Sequence, residues 1–161
     1  MSLAQTAVAQ LEAAREYFNR STRNLREEDS TFAPVEGMMT AAQQTAHAAH
    51  TVGWFVEGAF RAEGFDMNWE EHGRIVMAYT SLAAANDWFN KEIDKAVAFV
   101  AGKSDAELGA SLPPGMIMGG LPRMAVFGGL TDHTAHHRGA LTVYARLKGI
   151  VPPMPYMDMP S

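Results

Sequence analysis

Two histidines on one predicted helix are the residues of this chain best placed to do chemistry. His133 and His137 lie four residues apart in a segment with the sequence DHTAHHRG. Residues at this spacing share one face of an α-helix, with Cβ atoms about 5–6 Å apart. Two imidazole nitrogens can then reach one metal ion at about 2.0–2.1 Å each. Such pairs also occur on ordinary polar helix faces, so the segment by itself leaves both interpretations open.

A second predicted helix carries two further histidines on an apolar background. His47 and His50 are surrounded mainly by alanine, valine and aromatic residues, where an unpaired imidazole is costly to bury. Trp54 follows His47 by seven residues and shares its face, so His47 belongs to the inward stripe, and His50 lies near the same face. Either could be a core histidine bonded to a carbonyl. Alternatively, one of them faces the first pair and completes a three-histidine site with an open position for water, which is typical of catalytic zinc.

The two remaining histidines are predicted to lie outside this site. His136 is adjacent to His137 and therefore points about 100° away from it on a helix. It is expected at the surface or beside the ligands. His72 lies next to Glu70 and Glu71 in a connection between helices, and it is expected to be solvated.

The composition excludes several classes of site. The 161 residues include six His and no Cys, so disulfides, thiolate zinc sites and cysteine nucleophiles are ruled out, and any transition metal must be held by His, Asp or Glu. The net charge is −5 without a basic run, which disfavours nucleic acid as a partner. The longest apolar stretch, 116–130, is interrupted by Pro122 and Arg123 and is too short for a membrane span. Without a secretory signal at the N-terminus, we expect a cytoplasmic protein.

Other metal and catalytic motifs are absent from the chain. No Glu precedes a His by three residues, as the Glu-x-x-His motifs of di-iron bundles require. Thr134 occupies the position at which a zincin has its general base. No Gly-x-Ser-x-Gly sequence is present either. The histidines therefore remain the only candidate centre.

The elements that must position these histidines are predicted to be helices. Apolar residues recur at steps of three and four, with Ser2 as a candidate N-cap and a capping box from Thr40 to Gln43. The fold class is therefore all-α, a four-helix bundle with long connections at 65–79 and 103–121, in one domain that spans 1–161. We predict helices over about 3–29, 40–63, 81–101 and 122–148. The Pro/Met-rich tail, 150–161, cannot continue the last helix and is expected to pack on the bundle or across a dimer.

Two stretches resemble the motifs of the DinB/YfiT-like family, and the resemblance extends over essentially the whole chain. They are DHTAHHRGALTVYARL at 132–147, followed by Gly149 and VPP at 151–153, and MTAAQQTAH at 39–47, followed by WF at 54–55. The resemblance implies a four-helix bundle with an unusual connection order, often a homodimer, that binds a divalent metal through three histidines. By position these are His47, His133 and His137. His50 has no counterpart in the family's triad, and it stays an alternative ligand from the second helix.

The resemblance also implies a class of chemistry. Family members with known activities are thiol-dependent transferases and isomerases. We therefore expect a metal-dependent enzyme, with zinc or nickel, that transfers a low-molecular-weight thiol or hydrolyses a small-molecule substrate. With no Cys in the chain, any thiol must arrive as a cofactor. The alternative is a non-catalytic stress-response module that binds a ligand or dimerises around a structural metal.

Two residues near the histidine pair are candidates for catalytic roles. Tyr144 follows His137 by seven residues and shares its face, so it could line the pocket or donate a proton, or could simply be a core aromatic residue. Arg138 directly follows His137. It could steer an anionic substrate or form an ion pair on the helix surface.

Overall fold

A computed structural model describes residues 1–157, and within this range the chain is all-helical, without a β-strand. Four helices of 20 to 23 residues form the body, and two shorter helices lie in the connections. The helices are α1 (Leu3–Thr22), α2 (Ala41–Phe60), α3 (Trp69–Met77), α4 (Leu82–Ala101), α5 (Asp105–Gly109) and α6 (Ala125–Leu147). The all-α fold class is confirmed. None of the helices in this range has the length and apolar character needed to cross a membrane.

The helices begin at polar caps that the sequence contains. Ser2 and Gln5 form a reciprocal capping box at the start of α1, and Thr40 and Gln43 form one at the start of α2. In the second box the Thr40 amide donates to Gln43 Oε1 at 2.9 Å, and the Gln43 amide donates to Thr40 Oγ1 at 3.3 Å. These bonds satisfy amides that have no partner within the helix.

The first helix is shorter than its apolar pattern predicts. It ends at Thr22 rather than near residue 29, although Leu25, beyond its end, is still buried. The acidic residues that follow form a 3-10 turn, Glu27–Asp29, which faces the start of α4. Glu27 Oε2 accepts from the Ala83 amide at 2.8 Å, and this bond lowers the pKa of the Glu27 carboxyl. A carboxylate is favourable at a helix N-terminus, so Glu27 stabilises the start of α4, whereas Asp29 forms an ion pair with Lys148.

The other predicted boundaries lie closer to those of the structure. α2 ends at Phe60, three residues before the predicted 63, and Gly64 adopts a left-handed φ of +75° in the turn beyond it. α6 begins at Ala125 rather than at 122, because Pro122 forms an isolated bridge with Ser111. α4 matches its prediction within one residue.

The bundle does not follow an up-and-down order. α2 packs against α4 and α6, and α1 packs against the same two helices. The consecutive long helices α1 and α2 therefore lie on a diagonal of the bundle. Aromatic residues fill the centre, where the rings of Phe18 and Phe89 stack with centroids 4.4 Å apart. The arrangement brings α2 directly beside α6, which carries the histidine pair.

The tail runs back along the bundle. Asn24 donates a hydrogen bond to the Val151 carbonyl at 3.1 Å, and the rings of Tyr17 and Tyr156 meet edge to face at 5.0 Å. The predicted tail extends to residue 161, and its last four residues lie outside the described range. The described part therefore packs on the side of the bundle formed by α1 and α6.

Candidate metal centre

Three of the six histidines meet between α2 and α6. One ring nitrogen of each of His47, His133 and His137 lies within 4.8 Å of the others. His133 Nε2 is 3.2 Å from His47 Nε2 and 3.2 Å from His137 Nε2. Nitrogens bound at about 2.0–2.1 Å to one tetrahedral ion lie about 3.3–3.4 Å from one another. The cluster is therefore spaced as a three-nitrogen site for a divalent metal ion.

The three imidazoles are held in their neutral, metal-binding form. Burial, as the larger cause, and the neighbouring imidazoles together lower the pKa of His133 to about 4 and that of His137 to about 3. Burial also lowers the pKa of His47. At pH 7 all three rings consequently carry a nitrogen lone pair, which a cation can accept without displacing a proton.

A chain of hydrogen bonds fixes the orientation of His137. The Tyr144 hydroxyl donates to the Met39 carbonyl at 2.9 Å and accepts from Gln44 Nε2 at 3.3 Å. Gln44 Oε1 therefore faces His137 Nδ1, at 2.5 Å. An amide oxygen only accepts, so Nδ1 carries the proton and the Nε2 lone pair points into the cluster.

The other ring from α6 lacks a comparable support. His133 Nδ1 is buried and has no hydrogen-bond partner in the described part of the chain. The contacts of its Nε2 are with the other two imidazoles of the cluster. Of the two cluster histidines on α6, His137 is the one whose tautomer a side chain outside the cluster determines.

A cavity of about 460 Å³ opens beside the cluster. His47 and His133 form part of its wall, so an ion bound between them would border the cavity and could take a further ligand from it. The rest of the wall is mainly apolar and includes Trp54, Trp69 and Ile117. A larger groove of about 540 Å³ lies between α2 and α4, but no histidine lines it. The groove is bordered by charged side chains such as Glu57 and Lys95, whereas the cavity beside the cluster is the one that His47 and His133 border.

The structure brings His47, and not His50, to the pair on α6. His50 Nε2 instead lies 3.2 Å from His72 Nδ1. The expectation that His72 is solvated in a connection is wrong, because His72 belongs to α3 and its side chain is only 15% exposed. The sequence analysis missed this second pair, since nothing local shows that α3 folds back over α2.

Neither of the two candidate catalytic residues, Tyr144 and Arg138, lines the cavity beside the cluster. Tyr144 is 1% exposed and does not line the cavity, and its hydroxyl is used by Gln44 and Met39. It is a core aromatic residue that also positions His137 through Gln44. The Arg138 guanidinium lies 5.7 Å from the ring centroids of both Tyr17 and Tyr156. It therefore supports the tail and does not face the cavity.

The sequence analysis also missed Gln44, which connects Tyr144 to His137. Its position three residues before His47 places a polar side chain beside the inward stripe. Because Gln44 is nearly fully buried, at 8% exposure, it needs a hydrogen-bond partner. A polar residue beside the inward stripe was therefore the signal in the sequence that could have identified Gln44.

Comparisons with known proteins agree with the fold described above. The model of the DinB superfamily matches residues 10–141. The solved structures of two DinB-like proteins are similar, and the likeness concerns the fold. The first, from Bacillus subtilis, has a TM-score of 0.65 and 17% identity, and the match covers 97% of this chain and 96% of that one. The second, from Bacillus cereus, has a TM-score of 0.65 and 19% identity, with 94% and 93% covered. No curated protein matches the sequence.

Proposed function

Because this chain belongs to the DinB superfamily, we propose that it is a metal-dependent enzyme that acts on a small molecule at His47, His133 and His137. The observation that carries the proposal is the nitrogen cluster, with separations of 3.2 Å, on the wall of an apolar cavity. The chemistry of the donor set fits this role. Three neutral imidazoles suit zinc or nickel, and a site with three protein ligands keeps a position for water or substrate.

The protein's own groups would perform the supporting steps. A divalent ion at this site supplies a Lewis acid that lowers the pKa of a bound water or thiol to near neutrality. Gln44 keeps the His137 proton on Nδ1, so that Nε2 remains a donor. The aromatic side of the cavity, with Trp54 and Trp69, excludes water from the reacting groups. Since the chain has no Cys, a low-molecular-weight thiol would be a cofactor from solution.

The reaction is proposed to be thiol transfer to a small electrophile, or hydrolysis of one. The test is turnover by zinc- or nickel-loaded protein, with cysteine, glutathione or bacillithiol paired with aryl halide and epoxide electrophiles. Turnover that disappears in His133→Ala but survives in His136→Ala is expected. Inactivity of fully metal-loaded protein throughout this screen and with ester substrates would instead support the binding module with a structural metal. The homodimer and the cytoplasmic location remain predictions.

Gln44→Leu is expected to weaken zinc affinity about 10- to 100-fold, which is the usual effect of removing a group that supports a ligand histidine. The leucine removes the acceptor for His137 Nδ1 while keeping a similar volume. Tyr144→Phe should give a smaller loss, since it acts through Gln44. Affinity is measured by competition with a chromophoric chelator.

Tyr17→Phe serves as the matched control, because Tyr17 contacts the tail and not the cluster. It should bind zinc like the unaltered protein. Equal affinities for Gln44→Leu and Tyr17→Phe would show that the hydrogen-bond chain does not support the site.

A further inference from the structure

A second histidine pair lies on the wall of the same cavity and takes no part in the proposed metal site. His50 and His72 both line the cavity of about 460 Å³ that His47 and His133 also border. His50 Nε2 and His72 Nδ1 are 3.2 Å apart, and their rings meet at a centroid distance of 4.8 Å. The pair comes from two different helices, α2 and α3. It is therefore a product of the tertiary fold.

The proton positions in this pair follow from its anchor. The Asp66 carbonyl accepts from Trp54 Nε1 at 2.8 Å and lies 3.0 Å from His72 Nε2. A carbonyl oxygen only accepts, so His72 Nε2 carries the proton and His72 Nδ1 is the acceptor. The Nε2 of His50 must then donate to it. In the neutral ring this leaves His50 Nδ1 with a lone pair, and no donor within residues 1–157 is paired with that nitrogen.

The remaining wall of the cavity restricts the class of ligand. Apart from the histidines, it consists of aromatic, aliphatic and methionine side chains with one threonine and one glycine, and no Asp, Glu, Lys or Arg lines it. Away from the proposed metal ion, a charged group of a ligand would lose its hydration there without a side chain of opposite charge to pair with it. Trp54 and Trp69 both line the cavity, with ring centroids 5.4 Å apart, and indole rings pack favourably against a flat aromatic ring.

We infer that the cavity takes a flat, uncharged aromatic molecule with a hydroxyl group, and that this hydroxyl donates a hydrogen bond to His50 Nδ1. His72, anchored on the Asp66 carbonyl, is the positioning residue that keeps this nitrogen an acceptor. The inference rests on the proposed function, since it names the class of molecule that the same site takes. Two parts of the cavity wall then have separate roles. The part with His47 and His133 would hold the metal ion, and the part with His50 and His72 would bind the hydroxyl group.

The test compares p-cresol with p-xylene, two molecules of almost equal shape that differ by a hydroxyl in place of a methyl group. Their binding to zinc-loaded protein is measured by titration calorimetry. We expect p-cresol to bind about fivefold more tightly, which is the usual net effect of one hydrogen bond. With metal-free protein, 4-methylbenzoate should bind more weakly than p-cresol, because no side chain that lines the cavity would pair with its charge.

His50→Phe is expected to remove the preference for p-cresol while it keeps a ring in the wall. His136→Phe is the matched control, because His136 is exposed and does not line the cavity. It should retain the preference. Circular dichroism verifies folding, and His50→Leu replaces His50→Phe if the larger side chain is not accommodated.

Equal binding of the two probes to the unaltered protein would overturn the inference, and so would a preference that survives in His50→Phe. The latter result would indicate that the hydroxyl binds the metal. Zinc content, measured on the same samples, separates this inference from the proposed function. If zinc does not bind stoichiometrically but the preference persists and depends on His50, the proposed metal site fails and the His50 anchor stands.

Discussion

His137→Ala is expected to abolish stoichiometric zinc or nickel binding. The variant removes one of three nitrogens that lie 3.2 Å from a neighbour in the cluster, and it is the one whose proton position is fixed by Gln44. Losing a ligand should weaken metal affinity by more than the factor of about 10 to 100 that is usual for the loss of a supporting group. The measurement is metal content after dialysis against the ion, by inductively coupled plasma mass spectrometry, together with the dissociation constant from chelator competition.

His136→Ala is the matched control for this experiment. It removes an imidazole from the adjacent position of the same helix, but His136 is exposed and its nitrogens are not part of the cluster. Metal content of His136→Ala should equal that of the unaltered protein. If His137→Ala also retains one ion per chain with unchanged affinity, the three-histidine site is wrong.

The metal-free protein is expected to lose stability as the pH falls from 7 to 5. In the unfolded chain an imidazole has a pKa of about 6.5, whereas in the folded chain the pKa is about 4 for His133 and about 3 for His137. Between these values the unfolded state binds more protons, so the free energy of unfolding decreases with decreasing pH. The loss begins near pH 6.5 and continues toward the folded pKa values.

The size of this effect can be bounded. A full shift would cost about 2 kcal/mol for each imidazole between pH 7 and pH 5. Because His133 is only partly buried and the rings are close together, we expect about 2 kcal/mol for the pair. Urea unfolding of chelator-treated protein at the two pH values measures it.

The control is a double variant, His133→Gln with His137→Gln, which lacks both titrating rings. Between pH 7 and pH 5, its free energy of unfolding should fall by about 2 kcal/mol less than that of the unaltered chain. A pH dependence equal to that of the unaltered chain would show that other groups cause the acid destabilisation. Saturating zinc should also stabilise the unaltered protein at pH 7 and not the double variant.

The helices of the fold follow largely from local signals. Ser2 with Gln5 and Thr40 with Gln43 form the capping boxes that start α1 and α2. The error at the end of α1 has a long-range cause. Leu25 extends the apolar spacing although it lies beyond the helix, and the Glu27 carboxylate is used at the start of α4. A pattern within one segment does not contain that contact.

The candidate site could be predicted only in part, because spacing within a helix is visible in the sequence and contacts between helices are not. The spacing of His133 and His137 is a property of a single helix, so it is visible in the sequence. Tyr144 was placed on the correct face, with a pocket position and a core position both left open, because its burial depends on how closely α2 approaches α6. Arg138 was expected either near a substrate or in an ion pair on the helix surface, and it instead contacts Tyr17 of α1 and Tyr156 of the tail.

By itself, the sequence determined the chemical types and the helix faces of this protein. It has no Cys, so no thiolate ligand is available, and one helix presents two imidazoles on one face. The sequence placed His47 on the inward stripe with His50 as the alternative ligand, and the tertiary structure decided between them, since both lie on neighbouring parts of the same helix surface. The packing of α2 against α6 places His47 in the cluster, and the packing of α3 on α2 places His72 beside His50. Such choices depend on contacts between different helices, and no spacing within one helix encodes them.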